Sequence, residues 1–198
     1  MKELWEQRFA NEEYMYGKEP NEFLKAELEN ITPMKALFIG DGEGRNSVYA
    51  AKIGWQVEAN DWSENAKIKA LKWARENNVS INYNIVDFEN MKLDPESYDL
   101  IVLIYIHVDA PLREKLHSMV ISALKKDGRI ILEAYDKDQL KYNSGGPKTL
   151  DLLYSLEEIY TDFNDLEIIK FSKETVTLSE GKIHQGKSSV IRYVGHKK

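Results

Sequence analysis

The sequence predicts an α/β fold, in which helices cover both faces of a mostly parallel sheet. From Lys35 onward, short apolar runs rich in β-formers alternate with amphipathic segments of helical period, the pattern of βαβ units in a three-layer fold. The last third changes to a period of two around Glu180-Gly181, which predicts antiparallel pairing at one edge. With 198 residues the chain is long enough to bury a sizeable core. We therefore expect one domain over residues 1–198, with 1–33 as an N-terminal helical cap or lid and 34–198 as the sheet core.

Each predicted element follows from its pattern and its ends. The predicted strands are 36–39, 56–60, 81–86, 100–104, 129–134, 166–173, 176–178 and 189–194. The predicted helices are 2–10, 21–29, 46–52, 64–78 and 112–126. Ser63 and Asp109 suit N-cap positions, Gly54 and Gly128 suit helix ends, and Ser155 with Glu158 forms a capping box that begins a last helix.

Composition excludes several classes of function. A net charge of −6 means that the surface as a whole repels the phosphate backbone of nucleic acids. The absence of cysteine excludes disulfides, thiolate nucleophiles and thiolate metal sites. The longest apolar run, 100–106, is far short of the roughly 20 residues that a membrane helix needs. The charged N-terminal stretch lacks the apolar region of a signal peptide, so we expect a cytoplasmic protein with no membrane or nucleic-acid partner.

The strongest local motif is a glycine-rich turn at 38–46, FIGDGEGRN, between a predicted strand and a predicted helix. Gly40, Gly42 and Gly44 let the backbone approach a ligand, and the helix N-terminus offers free N–H groups to an anion. The dinucleotide fingerprint places its third glycine where Arg45 stands. The observed spacing favours a nucleoside that carries an amino acid over a pyrophosphate.

Two acidic residues follow the next predicted strands. Asp61 ends the second strand, about one βαβ crossover downstream, where a carboxylate can accept hydrogen bonds from both ribose hydroxyls. Asp87 and Phe88 end the third strand, where an acid can accept from an adenine amine while a ring packs on the base. Any single Asp could instead be a helix cap, but the ordered set predicts a nucleoside site.

At this point the chain resembles class I methyltransferases that use S-adenosylmethionine (SAM), and within them the tellurite-resistance (TehB-like) and thiopurine-methyltransferase-like group. The matching stretches are WEQRF, YGKEPNEFL, GDGEGRNSVYAAKIGWQVEANDWS, VDFENM, SYDLIVLIYIHV and LKKDGRIILEAY. The resemblance implies a Rossmann-like, seven-stranded sheet in the order 3-2-1-4-5-7-6 with the last strand antiparallel.

The resemblance also implies roles for individual residues. Gly40, Gly42 and Gly44 would face the methionine part of SAM, Asp61 and Trp62 the ribose, Asp87 and Phe88 the adenine, and Ile104 and Tyr105 the methyl side. Asp41, Asn46 and Ser63 complete the predicted cofactor-binding set. One departure is Phe38, which stands where the family usually has an acid two residues before the first glycine. Asp41, where the family often has cysteine, could replace that contact or repel the cofactor carboxylate.

Methyl transfer from a sulfonium needs alignment and exclusion of water more than a side-chain nucleophile. His107 lies just past the fourth strand and is the candidate base, with a pKa near 6.5 when unperturbed. Its alternative role is to hydrogen-bond a loop backbone or order the cofactor. Tyr105 is the second candidate catalytic residue. The four histidines lack ligand spacing, so no metal is expected.

The predicted acceptor is a small molecule. The candidate substrate-binding residues are Arg8, Tyr14, Tyr16, Tyr135 and Tyr142. Each tyrosine could equally belong to the core or to the rim of the site, and Arg8 could instead form a surface salt bridge. The N-terminal segment could cap a sheet edge or fold over the ligand as a lid. Two alternative functions remain: a non-catalytic SAM-binding or partner-binding module, and a nicotinamide-dependent oxidoreductase, which Arg45 disfavours.

Overall fold

The computed structural model describes residues 2–198 of the chain. The α-helices are α1 Lys2–Phe9, α2 Glu22–Leu28, α3 Arg45–Lys52, α4 Glu64–Glu76, α5 Ala110–Ala123 and α6 Leu156–Asp162. The strands are β1 Lys35–Ile39, β2 Gln56–Asp61, β3 Asn82–Ile85, β4 Tyr98–Ile104, β5 Leu124–Tyr135, β6 Glu167–Glu180 and β7 His184–His196. Two short 3-10 helices, Lys137–Lys141 and Leu150–Leu152, follow β5.

The seven strands form one sheet in the order β3-β2-β1-β4-β5-β7-β6. Strand β2 pairs in parallel with β1 and with β3, and β4 pairs in parallel with β5. The seventh strand runs antiparallel to β5, with Glu133 opposite Arg192. The predicted α/β class and strand order are therefore confirmed.

The chain divides into two compact units. The first contains the residues up to Asp87 together with Glu180–Ile183, and the second contains Phe88–Ser179 and His184–Lys198. Within the first unit the buried residues of β1 pair with β2, whereas in the second the apolar faces of β4, β5 and β7 form the core. The single-domain interpretation remains a prediction.

Several element boundaries differ from those predicted. The helix expected at 112–126 is Ala110–Ala123, and the chain enters β5 directly at Leu124, which is fully buried and paired with Tyr98. Gly128 therefore lies inside a strand. The tertiary pairing overrides the helical period that continues to Lys126. Likewise, the strands expected at 166–173 and 176–178 are the single strand β6.

The predicted N-caps at Asp109 and Ser155 are confirmed. The Asp109 side chain accepts a hydrogen bond from the Leu112 N–H at 3.1 Å. In α6, the Glu158 N–H donates to the Ser155 hydroxyl at 3.3 Å, and the Ser155 N–H donates to the Glu158 carboxylate at 2.7 Å. The first N–H groups of a helix have no acceptor within the helix, so these side-chain acceptors fix where α5 and α6 begin. Between residues 2 and 198, no helix is both long and apolar enough to cross a membrane.

Candidate functional site

The glycine-rich turn connects β1 to α3 in the first unit, and all three of its glycines adopt positive φ angles. These are 60° at Gly40, 61° at Gly42 and 89° at Gly44, a region that other residues enter at a cost. Gly44 is also the N-cap of α3, and a Cβ there would lie 2.7 Å from the Ala70 Cβ. The third glycine therefore lets α3 and α4 pack closely, while the first two shape the turn.

Hydrogen bonds join the ends of the first three strands. The Asp41 N–H donates to the Asn60 carbonyl at 2.9 Å, and the Val86 N–H donates to the Asp61 carbonyl at 3.0 Å. The Gly42 N–H donates to the Asp61 carboxylate at 3.1 Å. The turn after β1, the acid that ends β2 and the segment after β3 therefore lie side by side. Asp87 follows one residue after Val86 and is exposed.

Backbone donors fix the Asp61 carboxylate from two sides. Besides the Gly42 N–H, the Ser63 N–H donates to it at 3.0 Å. Burial raises the Asp61 pKa to about 6, an effect that the hydrogen bonds from Ser63, Gly42 and Trp62 partly offset. An ionised carboxylate has about four acceptor sites. These backbone donors orient the carboxylate and leave part of its acceptor capacity for the ribose.

Three other predicted cofactor residues are engaged within the protein. The Asp41 carboxylate accepts from the Ser47 N–H at 3.2 Å and from the Ser47 hydroxyl, and burial raises its pKa to about 7. The Asn46 side-chain oxygen accepts from the Asn21 N–H at 2.9 Å. Ser63 caps α4 by accepting from the Ala66 N–H at 3.1 Å. Asp41 thus stabilises the start of α3 locally.

Phe38, which stands where the family usually has an acid, is 1% exposed and belongs to the core. A side chain buried in this way completes the apolar packing of β1. Phe38 therefore offers no carboxylate at this position.

Sequence reasoning missed Glu43, which lies between two glycines of the turn. Its carboxylate accepts from the Met15 N–H at 2.8 Å and forms an ion pair with Lys69. The Lys69 ammonium also donates to the carbonyls of Asn11, at 2.8 Å, and Glu13, at 2.6 Å. We call residues 10–20 the N-terminal strap. Glu43 and Lys69 tie this strap to the glycine turn.

The other side of the strap contacts the turn between β6 and β7. The Lys182 N–H donates to the Met15 carbonyl at 3.0 Å. A Cβ on Gly181 would approach that same carbonyl to 2.4 Å, so only glycine fits there. Arg45 forms a 3.0 Å ion pair with Glu180, and both side chains are largely buried. The strap is therefore fixed along its length by polar contacts.

Three of the predicted substrate residues lie on or next to the strap. The Tyr14 hydroxyl donates to the Lys69 carbonyl at 3.1 Å. Arg8 donates to the Tyr16 hydroxyl at 2.9 Å and lies over the Trp5 ring, 4.5 Å from its centroid. Phe9, next along α1, is buried, and its ring lies 3.4 Å from where a Gly42 Cβ would be. The Phe9 ring therefore packs against the glycine turn.

His107 lies in the second unit, where both of its ring nitrogens bond to backbone groups. Nδ1 lies 2.7 Å from the Leu152 carbonyl, and Nε2 accepts from the Tyr135 N–H at 3.1 Å. Burial lowers the His107 pKa to about 4. This geometry favours the alternative in which the ring orders the loop backbone, because neither nitrogen is available to accept a substrate proton.

Tyr105 follows Ile104 at the end of β4 and has an unusual backbone, with φ at 56°. Its hydroxyl donates to the Glu133 carboxylate at 2.6 Å. Left-handed conformations of bulky residues cluster at functional sites. Ile104 and Phe88 are both buried in this unit. Sequence reasoning missed Glu133, because nothing local marks an acid in the middle of a buried strand.

Tyr135 does not fit the predicted substrate-binding role. It is 1% exposed and belongs to a core cluster with Leu153 and Val190. A Cβ on Gly146 would lie 2.8 Å from the Tyr135 ring, so the glycine loop covers it. Tyr142 follows the first 3-10 helix and is half-buried. Across residues 2–198 no cluster of three or more His, Cys, Asp or Glu residues could hold a metal ion.

Comparison with known proteins identifies the family. A family profile described as tellurite resistance protein TehB matches residues 4–194. The probable S-adenosyl-L-methionine-dependent methyltransferase TehB of Haemophilus influenzae (strain ATCC 51907 / DSM 11121 / KW20 / Rd) is 24% identical over 162 residues, which cover 78% of this chain and 52% of that protein. The chain therefore spans about half the length of the curated relatives it matches.

Solved structures share the fold. The crystal structure of TehB from Haemophilus influenzae matches with a TM-score of 0.74 at 19% identity, covering 90% of this chain and 62% of that one. The N-methyltransferase NodS from Bradyrhizobium japonicum WM9, in complex with S-adenosyl-L-homocysteine (SAH), matches with a TM-score of 0.77 at 13% identity, covering 99% and 97%. These matches confirm the Rossmann-like fold and the predicted resemblance. The chain belongs to the TehB family of tellurite resistance proteins.

Proposed function

We propose that this chain transfers a methyl group from SAM to a small-molecule acceptor. The observation that carries the proposal is the joining of three strand ends in the first unit, where the Asp61 carboxylate is bonded to Gly42 and the Asp61 carbonyl to Val86. Ligands of open α/β sheets bind at the carboxyl ends of strands. The relatives in Haemophilus influenzae are named as probable SAM-dependent methyltransferases, which supports the same activity.

The residues of the first unit fit an adenosyl group. Asp61, held by the Gly42 and Ser63 N–H groups, is oriented to accept from the ribose hydroxyls. Gly40 and Gly42 have no side chain between the turn backbone and the amino-acid part of the cofactor. Asp87 lies two residues beyond the end of β3 at Ile85, and we propose that it accepts from the adenine amine. Trp62 lies next to Asp61 and would complete the ribose contact.

The cofactor supplies an electrophilic methyl group on a sulfonium. In the first unit, the chain's contribution is to orient and to exclude water: Phe9 packs over Gly42, and the strap is tied down by Glu43 and Lys69. These contacts support the lid interpretation of the N-terminal segment, which we propose over the edge-cap interpretation.

In the second unit we propose different roles for the two candidate catalytic residues. His107 is a positioning residue, since its ring bonds to Leu152 and Tyr135 and burial keeps it neutral. We propose that Tyr105 meets the acceptor, because left-handed backbone conformations of bulky residues, such as its φ of 56°, cluster at functional sites. Tyr135 holds this region together as core.

Calorimetric titration with SAM and with SAH tests the proposal. We expect saturable binding of both, and a loss of about 10- to 100-fold in affinity for Asp61→Asn, because the variant loses charge-assisted hydrogen bonds. Glu58→Gln is the matched control on the same strand, where Glu58 pairs with Lys35. Binding of NAD without SAM or SAH would contradict the proposal. Binding of SAM with no methyl transfer to any acceptor would support the non-catalytic alternative.

A further inference from the structure

The side chain of Arg8, on α1, is held in place by two aromatic residues. Its Nη1 donates to the Tyr16 hydroxyl at 2.9 Å, and its guanidinium carbon lies 4.5 Å from the centroid of the Trp5 ring. The residue as a whole is half-buried. A guanidinium carries five N–H donors in a rigid plane, so one bond to a neutral hydroxyl uses only part of its donor capacity.

Arg8 differs from the basic residues around the strap in having no acidic partner. Within the part of the chain that the structure describes, no carboxylate lies within ion-pairing distance of its guanidinium. A shortage of acids is not the reason, because the chain has 33 acidic residues against 27 basic ones. The neighbouring basic residues each pair with an acid: Lys69 with Glu43, Arg45 with Glu180, Lys18 with Glu76 and Lys182 with Glu13. Arg8 therefore keeps the capacity to bind an anion from outside the chain.

Two neighbours of Arg8 contact the glycine turn directly. The ring of Phe9, the next residue of α1, lies 3.4 Å from where a Gly42 Cβ would be, and its centroid is 6.3 Å from that of Tyr16. The backbone N–H of Tyr16 donates at 3.4 Å to the carboxylate of Glu43, which follows Gly42 in the turn. The guanidinium therefore lies beside the turn, on the side that α1 covers.

Glu6 fixes α1 against the neighbouring helix α4. Its carboxylate accepts hydrogen bonds from three donors at the start of α4: the Glu64 N–H at 2.7 Å, the Asn65 N–H at 3.3 Å and the Ser63 hydroxyl at 2.8 Å. A carboxylate is stabilised at a helix N-terminus by the unpaired N–H groups and the helix dipole. Helix α4 begins three residues after Asp61. Arg8 is therefore held near the strand end that carries the proposed ribose-binding acid.

The N-terminus of α3, where an anion on a glycine turn would bind by default, already carries a carboxylate of the chain. Asp41 accepts from the Ser47 N–H at 3.2 Å and from the Ser47 hydroxyl, and Ser47 is the third residue of α3. A ligand carboxylate on the same donors would displace one of these bonds and would be repelled by an ionised Asp41. The negative end of a ligand on this turn is therefore better balanced by a cation outside α3.

We propose that Arg8 binds the carboxylate of the cofactor's amino-acid part and that Tyr16 orients Arg8 for this contact. The inference rests on the proposed function, and it assigns Arg8 to the cofactor instead of to the methyl acceptor. The carboxylate is the only negatively charged group of SAM and SAH, and a guanidinium matches it in both charge and geometry. A cofactor without the carboxylate would leave Arg8 without this partner. The site therefore selects cofactors that retain the complete amino acid.

Calorimetric titration of the full chain with three ligands tests the inference without turnover. The ligands are SAH, its decarboxylated analogue 5′-deoxy-5′-(3-aminopropylthio)adenosine, and 5′-deoxy-5′-methylthioadenosine, which lacks the whole amino acid. We expect SAH to bind about 10- to 100-fold more tightly than the decarboxylated analogue, the range for a hydrogen bond between charged groups. Equal affinities for these two ligands would overturn the inference. Failure of all three to bind would instead contradict the proposed adenosyl site itself.

Variants of Arg8 then separate carboxylate binding from packing. Arg8→Met should weaken SAH binding by about 10- to 100-fold and change the affinity for the decarboxylated analogue by less than about threefold, which also shows that the variant is folded. Arg8→Lys keeps the charge without the planar fork and should recover part of the loss. Tyr16→Phe should reduce the preference for SAH by about three- to tenfold.

Arg75→Met, which removes an exposed arginine of α4, is the matched control and should leave both affinities unchanged. An equal loss for both ligands in Arg8→Met would show that Arg8 only supports the packing of α1. An unchanged affinity for SAH would leave Arg8 available to the methyl acceptor. Either result, or an equal loss of SAH binding in Arg75→Met, would overturn the inference.

Discussion

Replacing Glu43 by Gln should destabilise the first unit and release the N-terminal strap. The carboxylate of Glu43 is 2% exposed and the ammonium of Lys69 11%, so the variant leaves a nearly buried cation without its counter-charge. Removing one partner of a buried pair costs about 3–5 kcal/mol. Lys69 keeps the carbonyls of Asn11 and Glu13 as acceptors. We therefore expect the lower end of that range, about 3 kcal/mol in the free energy of unfolding.

For a protein of this length, a change of about 3 kcal/mol corresponds to a drop in Tm of about 6–12 °C. Urea unfolding measures the free energy, and limited proteolysis with mass spectrometry measures cleavage within the strap. Lys69→Met should cost a similar amount, and the double variant less than the sum of the two. Glu76→Gln, which removes an exposed ion pair with Lys18, should cost under about 1 kcal/mol. If Glu43→Gln costs no more than Glu76→Gln and strap cleavage is unchanged, the ion pair between Glu43 and Lys69 contributes nothing to holding the strap.

Three further predictions follow from the two units. The folded Asp41 carboxyl has a pKa of about 7 against an ordinary value of 3.8, so its stabilising contribution is complete below pH 3.8 and is lost as the pH rises to 7. Urea unfolding at several pH values should therefore show the free energy of unfolding falling over this range in the wild type. In Asp41→Asn the fall should be smaller. Gly44→Ala should lower the free energy of unfolding by about 3 kcal/mol or more, because it combines a positive φ with a Cβ 2.7 Å from the Ala70 Cβ. Gly54→Ala is the control: its φ is also positive, but its nearest contacts are at 3.8 Å, so it should cost about 1 kcal/mol in the same urea unfolding measurement. The ring protons of His107 should not titrate in NMR spectra between pH 5.5 and about 7, because burial lowers its pKa to about 4, and a titration near pH 6.5 would restore the base hypothesis.

The α/β pattern and the glycine turn were predictable because their signals are local, whereas the strand order was implied by the family resemblance. Gly42 and Asp61 follow apolar runs at a spacing of one βαβ unit, and parallel strands bring such ends to the same edge. The bond between the Gly42 N–H and the Asp61 carboxylate is the direct consequence.

The polar networks were not predictable, because their partners are distant in sequence. Glu43 pairs with Lys69 across 26 positions, and Glu133 pairs with Arg192 across 59. Each of these residues taken alone resembles one of the chain's many exposed charges. Only the tertiary arrangement shows that they are buried and mutually neutralised.

His107 shows a different kind of limit. Its place after β4 indicated a candidate base, but position does not reveal what its nitrogens contact. The carbonyl of Leu152 arrives from a segment 45 residues downstream. A histidine with both nitrogens bonded to backbone and one that acts as a base look the same in sequence.

The most direct test of the account is a crystal structure of the chain with SAH bound. We predict that both ribose hydroxyls lie within about 3 Å of the Asp61 carboxylate, with the adenine beside Asp87 and the amino-acid part against the backbone of Gly40 and Gly42. SAH bound elsewhere, with Asp61 contacting only Gly42 and Ser63, would contradict it.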